Sequence, residues 1–426
     1  MNKYQIKGII IKQLFGVYDY NLTLNNLLDD NFFILYGDNG TGKSTILRIL
    51  YFLLSSKSRV GHKTVIANIP FKEVVIEFLN GFYLKANRGK NLLGDYELEY
   101  KGEALIKVPM KCRFSIEDNQ YHVPYNEKET RIEKILAQFQ DLKILYISDN
   151  RKELDTNNIG SEREYEIMSR RLPIRHETDE EAIEIELKKL QEWIINQALS
   201  STKRGEEGAS ILYEKVLTQL HKNTLGSGKK PSLGKLKKSF EKINQKVHKY
   251  VAMGFFSEPD YNKILSRIDG ITQENEALAC SILTPYLEIQ KQKVDALDSL
   301  VELISHFTSS LNKYLYKKEV VYSVQDGFLI KHKGQTDTIN PKVLSSGEKQ
   351  LIQLFSKVIR NTDVCSMIIV DEPEISLNIK WQRMLLDSLK YFSKNGFNQF
   401  IIATHSIEIL SGHLDNLVKL DSKGNE

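Results

Sequence analysis

The sequence predicts an α/β protein: a mixed sheet with helices and an antiparallel β lobe, interrupted by a helical insertion. Three observations predict it. A buried strand runs through a glycine-rich turn into a helix at residues 32–54. Near residue 160 the strand patterns give way to charged, helical sequence that lasts to about 315. Apolar strand runs then return, and two of them lead into polar groups, Asp371-Glu372 and His405. The expected division is 1–150 and 316–426 as the halves of one catalytic domain, with 151–315 as a helical domain inserted between them.

In chain order, Ile9–Lys12 and Tyr20–Leu24 read as early strands. Phe32–Tyr36 is a short continuous apolar run, as expected of a strand buried on both faces. Ser44–Leu54 follows as a helix. Glu73–Phe78 and Phe82–Ala86 alternate and predict a hairpin through Asn80-Gly81. Lys143–Ile147 is a further buried strand. The insertion opens with an acidic stretch, Glu177–Glu192, and carries breaks at Lys203–Gly208 and Gly226–Pro231. Val294, Leu297, Val301, Ile304 and Leu311 keep the three-and-four spacing of a helix with one buried seam. Each helix reads as too short for long coiled-coil arms, so the insertion is expected to be compact. Val320–Val324 and Phe328–Lys331 are strands again, then Lys349–Arg360 a helix, then strands at Ile368–Val370 and Phe400–Ala403.

Composition narrows the function. The hydrophobic fraction of 41% and charged fraction of 27% describe a folded protein rather than a disordered one. No run of about 18 apolar residues exists, and Met1–Lys7 lacks a signal-peptide core, so a cytoplasmic location without a membrane span is expected. Cys112, Cys280 and Cys365 form no C-x-x-C pair and read as three buried thiols in a reducing compartment. The net charge of +4 is too small to argue for nucleic acid by itself.

The chemistry begins at Gly37-Asp38-Asn39-Gly40-Thr41-Gly42-Lys43-Ser44, the pattern G-x-x-x-x-G-K-[ST]. Its glycines let successive N–H groups point at phosphate oxygens, and the following helix adds the partial positive charge of its N-terminus. Lys43 is expected to reach the β- and γ-phosphates of ATP, and the Ser44 hydroxyl to ligate Mg²⁺. Asp371, at a strand's carboxyl end, is the expected second Mg²⁺ ligand. Glu372 is placed to orient and polarise the attacking water, and His405 to contact the γ-phosphate. Alone, each has a plainer reading: a turn before a helix, a strand exit, a structural histidine. Together and in this order they argue for an ATPase.

Leu344-Ser345-Ser346-Gly347-Glu348 precedes a helix and offers a serine and N–H groups that are expected to have nothing to bind in their own subunit. With this segment the constellation resembles the ABC-type ATPase superfamily, whose P-loop NTPase heads pair so that a signature serine of one closes on the γ-phosphate held by the other. Ser345 and Gly347 are the matching positions, with Glu348 beside them, and Ser376-Leu377-Asn378 matches the loop that crosses the dimer interface. The resemblance implies a nucleotide-binding set of Gly37, Asn39, Gly40, Gly42, Lys43, Ser44 and Thr45, completed by Ser345, Gly347 and Glu348 of a second copy. The wording of Leu344–Gln350, Asp371–Leu377 and Trp381-Gln382 is similar to SMC-like, OLD-type ATPases, a group that includes ATPases of the Septu, PARIS-type and retron-associated anti-phage systems. Phe15–Tyr20 fits the same group, and an aromatic there is expected to stack on adenine.

Two departures stand out. Ser148-Asp149-Asn150-Arg151 replaces the usual glutamine after its strand, so Asn150 or Arg151 would take over sensing of Mg²⁺ and phosphate, and Asn378 stands where relatives often carry histidine. OLD nucleases add a Toprim domain, for which the residues after His405 leave no room, so cutting would fall to a separate effector. Lys229–Lys249 is lysine-rich, with Glu241 as its one acid, and reads either as a solvated helix face or as a backbone contact to DNA or RNA. The leading expectation is a dimerising ATP switch of an anti-phage system that controls a nuclease or toxin. The alternative is an SMC- or RecF-like ATPase that clamps DNA in repair.

Overall fold

Strands whose side chains are all apolar have no face to give to water, and such strands set the frame of this chain. The computed structural model describes residues 4–24, 31–56, 62–123, 130–149, 153–155, 182–201, 232–256, 261–361, 365–393 and 398–420. In chain order the strands are β1 (Ile6–Leu14), β2 (Tyr18–Thr23), β3 (Phe32–Tyr36), β4 (Glu73–Phe78), β5 (Tyr83–Asn87), β6 (Tyr96–Lys101), β7 (Leu105–Met110) and β8 (Arg113–Ser115). Then come β9 (Gln120–His122), β10 (Ile144–Ile147), β11 (Glu153–Asp155), β12 (Lys318–Ser323), β13 (Gly327–His332), β14 (Met367–Asp371), β15 (Gln399–Thr404) and β16 (Leu417–Lys419). Contacts divide the chain into two compact units, Met1–Thr178 with Ser345–Glu426, and Asp179–Leu344.

The first unit carries two six-stranded sheets. One has the order β11-β10-β14-β15-β3-β16 and is parallel apart from the antiparallel edge strand β11. Every residue of β10, β14 and β15 is buried, as a parallel sheet covered on both faces requires. The other sheet, β2-β1-β4-β5-β6-β7, is antiparallel throughout, and β4 and β6 alternate buried residues with half-buried or exposed ones. The predicted hairpin between β4 and β5 forms, with Gly81 at φ +81° in its turn. The helix Lys43–Leu54 is apolar nearly all round and therefore lies inside. One core cluster joins its Ile46, Leu47 and Leu50 to Ile9 and Val74 of one sheet and to Leu35, Ile369 and Ile401 of the other. The fold is the α/β arrangement that the sequence predicts.

Lys63 ends that helix in an unusual way. Its ammonium is buried and lies 2.8, 2.8 and 3.2 Å from the carbonyl oxygens of Phe52, Leu53 and Ser55, the orphan acceptors of the helix C-terminus. Burial pushes its pKa down from 10.5 to about 7. Between these values the unfolded chain holds a proton that the folded chain has lost, so stability rises with pH across that window. Below it the burial penalty is fully present. We expect the unfolding free energy of the wild type, relative to Lys63→Met, to grow by up to about 1.4 kcal/mol per pH unit above neutrality. Urea denaturation of both proteins at pH 6 to 9 measures this.

The second unit is mainly helical. Residues 182–201 are helical, and Leu233–Ala252, Tyr261–Ile268 and Glu276–Tyr314 follow. Val294, Leu297, Val301, Ile304 and Leu311 are buried as the spacing predicts. They belong to a single helix of 39 residues, roughly 58 Å long at 1.5 Å per residue. The seam is therefore the second half of a longer helix, which runs on through the internal Pro285. Leu236, Phe240, Ile243, Val247 and Tyr250 line the buried side of Leu233–Ala252. The hairpin of β12 and β13 lies in this unit rather than with residues 345–426: Asn312 accepts from the Val320 N–H at 2.6 Å and donates to the Val320 carbonyl at 3.1 Å. Lys203–Gly208, Gly226–Pro231 and the first part of the acidic stretch lie outside the described residues.

Candidate nucleotide site

In the parallel sheet β15 lies between β14 and β3, and all three run the same way. The register pairs Asp371 with Ala403 and Thr404 with Tyr36, so three chain segments leave the sheet side by side. They are the glycine loop after β3, Glu372–Ser376 after β14 and His405-Ser406 after β15. Crevices at the carboxyl ends of parallel strands are where open α/β sheets bind ligands.

The glycine loop is held from several sides. Gly37 donates its N–H to the Thr404 carbonyl at 3.4 Å, and the Tyr20 hydroxyl donates to the Thr41 carbonyl at 2.8 Å. Gly40 and Gly42 have φ of +87° and +86°, which side-chain-bearing residues rarely adopt. Space is tight at Gly42, where a Cβ would stand 2.9 Å from Leu14 and 3.2 Å from the Phe15 ring. Phe15 is 43% exposed, so its ring borders the loop and is open to solvent. Lys43 is buried, and its Nζ donates to the Gly37 and Asp38 carbonyls at 2.8 and 2.9 Å. Ser44 and Thr45 open the helix half-buried, and Asn39 is exposed at the loop's tip.

Asp371 is buried, and both the Ser44 hydroxyl and the Tyr146 hydroxyl, the latter at 3.3 Å, donate to its carboxylate. Its pKa is raised to about 6, chiefly by burial, with the charges of Asp149 and Glu372 adding to the rise against the Ser44 and Tyr146 hydrogen bonds. Mg²⁺ takes hard oxygen ligands. The Ser44 hydroxyl and the Asp371 carboxylate, in contact with each other, supply two such oxygens and fit it.

Glu372 has φ +44°, a left-handed backbone for a residue with a long side chain. Strain of this kind gathers at functional sites. Its N–H donates to the Ala403 carbonyl at 2.9 Å, which ties the two segments together. The His405 Nδ1 stands 3.6 Å from Glu372 Oε1 and 3.1 Å from Glu374 Oε1. Sequence reasoning missed Glu374, since its neighbours come from a strand that the sequence does not mark as adjacent.

Ser345, Gly347 and Glu348 gather at a second place, the start of the helix Ser346–Asn361. The expectation that this surface binds nothing in its own subunit is corrected. Ser345 N–H donates to Glu348 Oε2 at 2.8 Å, and Glu348 N–H to Ser345 Oγ at 3.3 Å, which is a reciprocal capping box. Ser345 is nonetheless exposed, and its own hydroxyl hydrogen is not used by the cap. Gly347 has a reason within the chain: a Cβ there would stand 2.5 Å from the Ser376 carbonyl oxygen and 3.1 Å from Trp381. Gly347→Ala is therefore expected to lose about 1–3 kcal/mol through overpacking, read as a lower melting temperature. Asn378 caps the next helix, Ile379–Ser393, by accepting from the Trp381 N–H at 3.0 Å. Asn150 and Arg151 lie outside the described residues. Cys280 and Cys365 are buried, but Cys112 is only half-buried because it follows β7 at the sheet's edge.

A family model for the AAA ATPase domain, AAA_15, matches residues 15–410. The chain belongs to this AAA ATPase family. This AAA ATPase is also 28% identical over 132 residues to UvrABC system protein A of Oceanobacillus iheyensis, and over 136 residues to that of Staphylococcus epidermidis. The matches cover 31% and 32% of the chain but only 13% and 14% of those proteins. Among solved structures, the AAA ATPase chain aligns with the Pyrococcus furiosus Smc head domain bound to the C-terminal domain of ScpA. That alignment has 14% identity and a TM-score of 0.38, covering 98% of this chain and 93% of that one. The Pyrococcus yayanosii Smc head with a coiled coil and joint gives 15% identity and a TM-score of 0.37, covering 98% and 94%.

Proposed function

We propose that this AAA ATPase binds ATP with Mg²⁺ on the glycine loop and hydrolyses it as a switch that joins and releases two copies. The observation that carries this reading is the meeting of Lys43, Ser44, Asp371, Glu372 and His405 at the carboxyl ends of β3, β14 and β15. The loop N–H groups and Lys43 would hold the phosphates, and Lys43 would exchange its two carbonyl partners for phosphate oxygens. Ser44 and Asp371 would hold the metal, which when bound draws charge from the terminal phosphate. Glu372 accepts a proton from the attacking water and orients it. The exposed Phe15 ring beside Gly42 supports adenine stacking there.

The second copy enters through Ser345. While its oxygen caps the helix, its O–H can donate to a terminal phosphate held by the partner, alongside the helix N-terminus. Ser345→Asp separates the two roles, since aspartate caps a helix as well as serine but would repel a phosphate. We expect this variant to keep its melting temperature and its ATP affinity while losing ATP-dependent dimers in sedimentation velocity. A loss of ATP affinity instead would mean that Ser345 serves its own subunit's site.

The resemblance of the segments at 344–350 and 371–377 to SMC-like, OLD-type ATPases supports a cytoplasmic role in anti-phage defence, with a separate effector under its control. No helix among the described residues is long and apolar enough to cross a membrane. For the alternative DNA-clamping role, the lysine-rich stretch is weakened from within. Lys237 pairs with Asp269 at 2.5 Å and Lys246 with Asp298 at 2.6 Å, while Lys229 and Lys230 lie outside the described residues. Lys235, Lys238, Lys242 and Lys249 stay exposed and are the positions through which a salt-sensitive DNA contact would have to run.

A further inference from the structure

Tyr20 is a buried residue to which the hydrolytic chemistry gives no part. It pairs with Ile11 of β1 and stacks on the Tyr18 ring, with centroids 5.8 Å apart and planes 12° from parallel. Its hydroxyl donates to the Thr41 carbonyl at 2.8 Å, the usual length of such a bond. The turn that leads into β2 is itself held. Gln13 and Phe15 have φ of +49° and +55°, a left-handed backbone that residues with side chains keep only when their surroundings impose it. The Asp19 carboxylate accepts from the Gln13 N–H at 2.7 Å, and the Phe15 N–H donates to the Pro70 carbonyl at 2.9 Å.

The carbonyl that Tyr20 holds belongs to the peptide group between Thr41 and Gly42. No peptide bond among the described residues is cis, and in a trans peptide the C=O and the N–H point in opposite directions. A donor that fixes the Thr41 carbonyl therefore turns the Gly42 N–H away from the Tyr20 hydroxyl, to the opposite edge of the peptide. Gly42 is the N-cap of the helix Lys43–Leu54, so no carbonyl of that helix can accept its N–H. N–H groups of this kind, at a glycine loop before a helix, are what phosphate oxygens bind.

We propose that Tyr20 is a positioning residue of the nucleotide site, which holds the Thr41 carbonyl and thereby presents the Gly42 N–H to a phosphate of the bound nucleotide. The last clause rests on the nucleotide-binding reading. The hold on the carbonyl is a property of the chain alone.

The chain has a single Thr-Gly step, Thr41-Gly42. Protein labelled with ¹³C-carbonyl threonine and ¹⁵N-glycine therefore gives one HNCO peak, which reports this peptide from both ends. In the wild type, the β,γ-imido analogue of ATP with Mg²⁺ should shift the Gly42 N–H signal. Tyr20→Phe removes only the hydroxyl, and Thr41 is half-buried, so water can replace the lost donor and the variant should fold. Without nucleotide it should change the Thr41 carbonyl shift. Its Kd for ATP should rise roughly 10- to 100-fold, the usual cost of one hydrogen bond to a charged group. With Glu372 untouched, KM for ATP should rise while kcat is largely kept, a split that general damage to the fold would not give. A folded Tyr20→Phe that binds ATP as tightly as the wild type would overturn the proposal. So would a wild type that binds the analogue with its Gly42 N–H signal unmoved, even if Tyr20→Phe failed to fold. A wild type that binds no nucleotide would refute the nucleotide reading and the last clause with it, and the Thr41 carbonyl shift would still decide the first.

Discussion

Glu372→Gln is expected to lower kcat for ATP roughly 100- to 10,000-fold, the usual contribution of a positioned general base, while ATP affinity is retained. The substitution keeps length and shape and exchanges a proton-accepting oxygen for an amide that cannot take the proton. It also keeps the backbone as it is. Residue 372 holds φ +44° and donates its backbone N–H to the Ala403 carbonyl, neither of which involves the side-chain group that is exchanged. The loop, Lys43, Ser44 and Asp371 are untouched, so nucleotide should still bind and accumulate unhydrolysed. Single-turnover hydrolysis, with fluorescent-nucleotide binding in parallel, measures both parts. A variant that turned over at the wild-type rate would remove Glu372 from the reaction.

Lys43→Ala should act earlier, on binding. Its Nζ bridges the carbonyls of Gly37 and Asp38, so the ammonium stands over the loop where phosphates would enter. Removing it deletes two charge-assisted hydrogen bonds to phosphate, at about 1.5–3 kcal/mol each. That corresponds to roughly a 100- to 10,000-fold weaker Kd for ATP. Calorimetric titration measures this directly. Unfolding should change less, since the glycine loop keeps its ties to Tyr20 and Thr404.

What the sequence makes legible follows the range of the interactions. The glycine loop is a contiguous run, and its strand, turn and helix are readable from their own residues. The seam from Val294 to Leu311 is readable for the same reason, although Pro285 hides that it belongs to a longer helix. The capping box of Ser345 and Glu348 is also local, a serine with glutamate three residues on, and its signal stands in the sequence beside the motif resemblance. Glu374 is different. Its partners lie thirty residues away, and they meet it only because β14 and β15 pair in the register that sets Asp371 against Ala403. The packing role of Gly347 is equally silent in sequence, since the need for a missing Cβ comes from the carbonyl of Ser376 on another segment. The hairpin of β12 and β13 is legible as strands but not in its attachment, which depends on Asn312 of the long helix.

The central claim is that two copies close on ATP held at the glycine loop and part when it is hydrolysed. Sedimentation velocity of the Glu372→Gln protein with ATP and Mg²⁺, and again with ADP, tests it most directly. The account predicts a dimer with ATP that is absent with ADP, and absent with ATP once Ser345→Asp is added. A protein that binds ATP and remains a monomer under all three conditions would contradict it.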